Sequence, residues 1–266
     1  MKKLKICLVF FLIFLMNTVK SQEIRHVITP NIIIGNSEKN SFSIETAINF
    51  KTEPYINVCY LITEKIAVFG SYNFINWRNR RILFLKGLYG NSDYDFVENN
   101  NQGYQFGIGI LDVFKLRKYK NTEILLGFEN QHLKIMEYYP KNKDDIDFIN
   151  QNYNKYFVQI NIIKPWKNEK FTIDYSLKTS YFINKSLENQ RYFENNLQKV
   201  EMNKNGIFML DLSSSLEYQF NTSKHFFLRF QTGVSAALED FDEYVNREGF
   251  WGFQSNISLI YRLHKQ

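Results

Sequence analysis

Ile207-Phe-Met-Leu-Asp-Leu-Ser-Ser-Ser-Leu-Glu-Tyr-Gln-Phe220 decides the fold. Its even positions run Phe208, Leu210, Leu212, Ser214, Leu216, Tyr218, Phe220, and its odd positions include Asp211, Ser213, Ser215, Glu217 and Gln219. Alternation with a period of two is the mark of a strand whose two faces see different surroundings. The next stretch repeats it, with Phe226, Leu228, Phe230, Val234 and Ala236 set against Arg229, Gln231, Gly233 and Ser235. The last stretch does so again, with Trp251, Phe253, Ile257, Leu259, Tyr261 and Leu263 set against Gln254, Asn256, Ser258 and Arg262.

Working back towards the N-terminus, the pattern persists with more noise. Apolar Phe42, Ile44 and Ile48 oppose Ser43, Glu45 and Asn49. Tyr104–Ile110, Ile124–Phe128, Tyr156–Ile162 and Phe171–Leu177 alternate in the same way, and the last three place Glu123, Glu129, Gln159, Asn161, Asp174 and Lys178 on polar faces. Tyr55–Ile62 and Ile66–Asn76 alternate less cleanly. The sum is about ten strands.

Alternation alone does not say which face meets water. Three further features do. Ile207–Phe220 and His225–Leu238 exceed the average soluble strand of about 5–6 residues and suit the roughly 9–11 residues of a tilted membrane strand. The connections alternate in length: Thr63–Lys65, Lys115–Lys120, Lys164–Lys170 and Asn221–Lys224 are short. Trp77–Asn100, Glu137–Asn154, Asn184–Asn205 and Glu239–Gly249 are long, after one short first hairpin at Thr52–Pro54. Short turns on one side and long loops on the other characterise outer-membrane barrels. Aromatic residues also gather near strand ends on the apolar face. Tyr218, Phe220, Phe226, Trp251, Phe253 and Tyr261 are the expected interface belt, apolar below and wet above. The expected fold is all-β, a single antiparallel up-and-down transmembrane β-barrel spanning 41–266, with both termini in the periplasm.

The first 21 residues stand apart. Lys2, Lys3 and Lys5 precede the unbroken apolar run Ile6–Met16, and Asn17–Ser21 follows. This is the layout of a secretory signal peptide, with cleavage expected before Gln22. The run is too short for an anchor helix. Cys7 begins the apolar run rather than following it, which argues against lipidation. Without the leader only Cys59 remains, so no intramolecular disulfide forms. The leader also holds four of the 33 basic residues and none of the 27 acidic ones, so the formal charge falls from +6 to +2. The basicity is no argument for nucleic-acid binding. Segment 22–40 carries Ile32-Ile33-Ile34 and is read as a plug in the barrel mouth, a periplasmic tail or an added strand.

The chain resembles small porin-like outer-membrane β-barrel proteins of unknown role. Three features carry the resemblance: Thr29-Pro-Asn31, the hairpin YLITEKIAVFGSYNF from Tyr60 to Phe74, and the closing strand SNISLIYRL from Ser255 to Leu263. It implies a fold and a compartment, and brings no catalytic residues with it. The chain departs from the pattern by ending in Arg262-Leu-His-Lys-Gln266 rather than in an aromatic residue.

The charged residues on polar faces are Glu45, Glu123, Glu129, Asp174, Lys178, Asp211, Glu217, Arg229 and Arg262. Inside a ten-stranded barrel they would pair into a network that narrows or plugs the lumen, or else line a narrow acidic channel. Arg229 is expected to pair with Asp211 or Glu217. His132, near Glu129, makes with it a candidate carboxylate–His pair similar to those of ten-stranded outer-membrane proteases and barrel lipid hydrolases, but no nucleophile or oxyanion motif accompanies it. The acidic stretches Asp144–Asp147 and Glu239–Glu243 match no calcium-loop spacing. No metal or cofactor is expected. The expected partners are outer-membrane lipid and the barrel-assembly machinery, with a small solute or a surface ligand left open. The leading reading is a structural or narrow porin-like barrel. Its rivals are a binding barrel using its loops, Tyr138 and Tyr139 included, a hydrolase, and a soluble β-sandwich.

Overall fold

The computed structural model describes residues 31–35, 39–49, 54–80, 96–114, 121–138, 146–166, 170–193, 196–200, 206–220, 225–237 and 251–263. The leader 1–21, Trp77–Asn100 in part, and Glu239–Gly249 lie outside them. Eleven strands follow in chain order: β1 (Phe42–Asn49), β2 (Pro54–Leu61), β3 (Ile66–Arg80), β4 (Phe96–Leu111), β5 (Asn121–Tyr138) and β6 (Ile146–Pro165). Then come β7 (Phe171–Phe193), β8 (Asn196–Val200), β9 (Gly206–Gln219), β10 (Phe226–Ala237) and β11 (Trp251–Leu263).

Each barrel strand pairs antiparallel with its neighbours, in the order β6-β5-β4-β3-β2-β1-β11-β10-β9-β7, and a β6–β7 ladder joins the two ends. Ten strands thus close into one barrel. The eleventh, β8, only folds back on the far end of β7, pairing Asn189–Phe193 with Asn196–Val200. The closing ladder runs from Phe148↔Gln190 to Pro165↔Thr172, with one register shift at Asn152/Tyr153. That shift skips Lys185: Asn152 faces Ser186 while Tyr153 faces Asn184. A bulge of this kind bends the strand and re-aims the residues beside it.

The two faces sort as the alternation demands. Phe106, Leu212 and Ile257 stand about half exposed on the exterior, while Asp211, Glu217, Arg229 and Asn256 on the opposite parity are buried inside. In register across β4, β5, β6, β7 and β9, Phe106 faces Phe128, Phe128 faces Tyr156, Tyr156 faces Tyr181, and Tyr181 faces Phe208. Ring centroids in this row are 5.5 Å apart for Phe106–Phe128, 5.3 Å for Phe128–Tyr156 and 4.9 Å for Tyr181–Phe208. A second aromatic group marks the other strand ends: Phe171 with Tyr218 at 4.9 Å, Tyr218 with Phe220 at 5.7 Å, and Phe226 with Tyr261 at 4.9 Å.

The two groups are about ten residues apart, on β7 from Phe171 to Tyr181 and on β9 from Phe208 to Tyr218. At about 3.3 Å per residue and a tilt of about 40°, that is a vertical span of about 25 Å, the height of the apolar band of an outer-membrane barrel.

The strands are longer than the alternation alone suggests. The stretch Glu137–Asn154, expected as a loop, is mostly strand, since β5 runs to Tyr138 and β6 begins at Ile146. Likewise Asn184–Asn205 holds the end of β7 and all of β8. Beyond the aromatic row the exterior turns polar, as at Asn130, His132 and Asn152, while the lumen buries Leu133 and Tyr153 beside Gln131 and Gln151. The ladder continues there while the apolar-out, polar-in alternation that reveals it is lost.

The belt itself is testable. Leu212→Arg, near the middle of the band, is expected to cost about 2–4 kcal/mol in reversible urea unfolding from phospholipid vesicles. A cost within about 0.5 kcal/mol, the usual value for a water-exposed surface site, would contradict the assignment.

Candidate functional site: the filled lumen

The lumen is packed, and the chain's own N-terminal segment does part of the packing. Asn31, Ile32, Ile33 and Ile34 are all buried, and side chains from four strands of the barrel wall hold the segment, three of those strands at its backbone. Gln159 and Asn161 on β6 both donate to the Ile32 carbonyl, at 2.6 and 2.7 Å. Gln231 on β10 donates to the Asn31 carbonyl at 3.3 Å, and the Asn31 side-chain Nδ2 donates to Ser213 Oγ on β9 at 2.7 Å. The Glu123 carboxylate on β5 accepts the Ile34 and Gly35 N–H groups at 3.1 and 2.8 Å, and Asn161 Nδ2 at 2.8 Å. Asn161 in turn accepts from Gln159 and Ser176, each at 2.7 Å. Buried polar groups need such partners, and here the plug and the wall supply them to each other.

The isoleucine side chains explain the noisy alternation of β2 and β3. Ile32 and Ile34 pack with Cys59, Leu61, Ala67, Phe69, Leu111, Leu125 and Phe157 in one apolar cluster inside the barrel. Where the lumen is dry, lumen-facing positions are apolar too, so the contrast between faces fades. Gly109 makes room for the plug: a Cβ there would lie 2.6 Å from Ile34 Cδ1 and 2.7 Å from Leu125 Cδ2. Gly35 lets the segment turn at the strand ends beside Arg262, with φ +67°, a backbone conformation that favours glycine.

All nine charged residues singled out in the sequence are buried. Glu123 holds the plug, and the other eight fall into three groups. In the first, Glu217 takes a two-pronged contact from Arg262 at 2.7 and 2.8 Å and one from Arg229 at 2.7 Å. Arg229 also reaches Glu45 at 3.1 Å, and Glu45 accepts from Ser258 at 2.6 Å and Asn57 at 3.1 Å. The planar guanidinium fork suits paired recognition of a carboxylate. In the second, Glu129 pairs with Lys155 at 2.8 Å and Lys178 at 3.6 Å, and Lys178 lies 4.2 Å from the Phe157 ring centre. In the third are carboxylates held by hydroxyls: Asp174 by Ser215 at 2.8 Å and Asp211 by Ser235.

Of the two partners expected for Arg229, Glu217 is the one it meets, because the two stand directly opposite in the β9–β10 register, where Asp211 faces Ser235. Lys155, fully buried, was not singled out in the sequence. It falls between the expected loop Glu137–Asn154 and the alternating stretch read from Tyr156, although it shares parity with Gln159 and Asn161.

His132 does not join Glu129. Three residues apart on one strand, they point to opposite faces. Glu129 is buried in the lumen, while the His132 ring bonds Asn152 at 2.6 Å on the exterior. Of the six aromatics expected at the interface, Tyr218, Phe220, Phe226 and Tyr261 lie in the aromatic group of the short-turn end. The side chains of Trp251 and Phe253 lie outside the described residues, as do those of Tyr138 and Tyr139 and the acidic stretches Asp144–Asp147 and Glu239–Glu243. Among the described residues no group of three or more His, Cys, Asp or Glu is placed to hold a metal ion.

The fold matches solved outer-membrane β-barrels. The outer-membrane protease OmpT from Escherichia coli superposes with a TM-score of 0.53 at 8% identity, covering 85% of this chain and 94% of that one. The translocator domain of the autotransporter NalP from Neisseria meningitidis gives 0.46 at 8% identity, over 84% of this chain and 86% of that one. The KdgM porin gives 0.37 at 10% identity, over 84% and 99%. At such identities the likeness is one of fold alone. No protein-family model and no curated protein sequence matches the chain. The class is therefore an outer-membrane-type β-barrel, closed by ten strands and filled from within.

Removing one member of the first ion-pair group leaves its partners buried and unpaired. Glu217→Ala is expected to lose about 3–5 kcal/mol of stability, measured by urea unfolding from vesicles. An unchanged midpoint would show that Arg229 and Arg262 reach water in the folded barrel.

Proposed function

We propose that this protein is an outer-membrane barrel with a structural role, whose lumen is sealed at rest by its own residues 31–35. One observation carries this reading: three strands of the wall hold the backbone of that segment through Glu123, Gln159, Asn161 and Gln231, and a fourth holds the Asn31 side chain through Ser213. The apolar exterior band supports a place in the membrane, and the leader 1–21 supports export. Both termini then lie in the periplasm, together with the short turns. The one carboxylate–His pair suggested by the sequence is split between two faces and lends no support to hydrolysis.

Planar-bilayer recording tests the seal. The intact chain is expected to show no steady conductance. Ile32→Asp combined with Ile34→Asp places two charges in the dry cluster, and the plug should leave, giving discrete openings. Steady open channels from the intact chain, unaltered by the double substitution, would overturn the proposal.

One feature favours a second reading, that of a surface-binding barrel. β5, β6 and β7 run 18, 20 and 23 residues, against the roughly 9–11 needed to span. The excess stands beyond the aromatic row as a raised wall on one side of the barrel.

A further inference from the structure

Resting on the outer-membrane reading above, we propose that the exterior of β4–β7, just beyond the aromatic row, binds the phosphorylated saccharide headgroup of an outer-leaflet glycolipid. The aromatic row Phe106, Phe128, Tyr156, Tyr181, Phe208 marks the edge of the apolar band. The next exterior row places Tyr104 opposite Asn130 and Asn130 opposite Asn154. The row after it places Gln102, His132, Asn152 and Ser186 side by side across four strands. These rows stand two and four residues past the aromatics. With the same rise and tilt they sit about 5 and about 10 Å above the hydrocarbon edge, at headgroup height.

The chemistry of the rows fits sugar rather than a simple phospholipid. Side-chain amides carry donors and acceptors together, as saccharide hydroxyls require of a partner. The rows are ordered in advance by their own bonds: Asn130 to Asn154 at 2.8 Å, His132 to Asn152 at 2.6 Å and Asn152 to Ser186 at 3.1 Å. Neighbouring strands set successive amides about 4.8 Å apart, the scale of one sugar ring. Tyr104, exposed beside Asn130, offers a ring face to the apolar side of a pyranose.

Cations complete the patch. The skipped residue of the β6–β7 bulge is Lys185, and both it and Ser186 are exposed. The bulge therefore presents a cation next to the amide row, where a headgroup phosphate would lie. Lys134, one row further out opposite Asn150, is held over the Phe148 ring at 5.7 Å. The surface is continuous with the lipid-facing band, so its occupant is a molecule whose tails lie against that band. A phospholipid supplies the phosphate but no array of hydroxyls for the amides.

The test uses the full chain folded in detergent micelles, with purified lipopolysaccharide and, separately, phosphatidylglycerol titrated in. Migration on an unheated gel first establishes that the barrel is folded, so that a failure of the barrel reading is seen as such. The intact chain is expected to bind lipopolysaccharide at least about tenfold more tightly than phosphatidylglycerol. Asn130→Leu with Asn152→Leu should erase that preference and leave phosphatidylglycerol binding unchanged. Lys185→Gln should weaken lipopolysaccharide binding by less. Equal affinity of the intact chain for the two lipids would overturn the proposal whether or not the variants fold. Full retention of the preference in a folded double variant would overturn it as well.

Discussion

Closure of the backbone ladder is the constraint on which the rest of this structure depends. In hydrocarbon every backbone N–H and C=O must find its partner within the protein, and a sheet meets that demand only by returning on itself. Here the return is the β6–β7 ladder, made by two of the longest strands of the barrel. Once it forms, each strand has one face towards lipid and one towards an enclosed space, and the side chains divide accordingly. The exterior stays apolar between two aromatic groups. The interior becomes a place where charge is tolerated only in company.

A ten-stranded barrel is modestly wider than the eight-stranded size that side chains alone just fill. The chain fills the difference in two ways. Long charged side chains meet across the lumen, as Arg262 and Arg229 do on Glu217. The remaining room near the short-turn end takes a foreign backbone, residues 31–35, fastened at both its carbonyls and its amides. Glu123 is the pivot of that arrangement. It takes two backbone amides from the plug and one side-chain amide from the wall, so plug and barrel share a single fully buried carboxylate.

The sequence made the fold legible where the two faces of a strand differ most. β9, β10 and β11 alternate cleanly, and reading two of them as a hairpin narrowed the partner of Arg229 to Asp211 or Glu217, between which the register decides. Legibility failed in two places, for two reasons. Above the apolar band the exterior positions turn polar while the lumen still buries Leu133, Gln151 and Tyr153, so the steady contrast between faces is lost and the outer parts of β6 and β7 looked like loops. Beside the plug both faces are apolar, so β2 and β3 looked irregular. Which of three arrangements Ile32–Ile34 would adopt depended on partners about 90 to 200 residues away in sequence, and no local pattern encodes that. The pairing of His132 with Glu129 was a plain error of phase, since a separation of three cannot bring two strand residues to one face.

The outward orientation of the apolar face can be measured directly. Single cysteines carrying a nitroxide label, placed in turn at positions 208 to 219 of the reconstituted protein, report contact with lipid through collisions with dissolved oxygen. Even positions are expected to show high oxygen accessibility and odd positions low accessibility to both oxygen and a water-soluble relaxant, repeating every two residues. The opposite phase, with the even positions shielded, would mean that Phe208, Leu212 and Leu216 pack into a dry centre, and would contradict a membrane barrel.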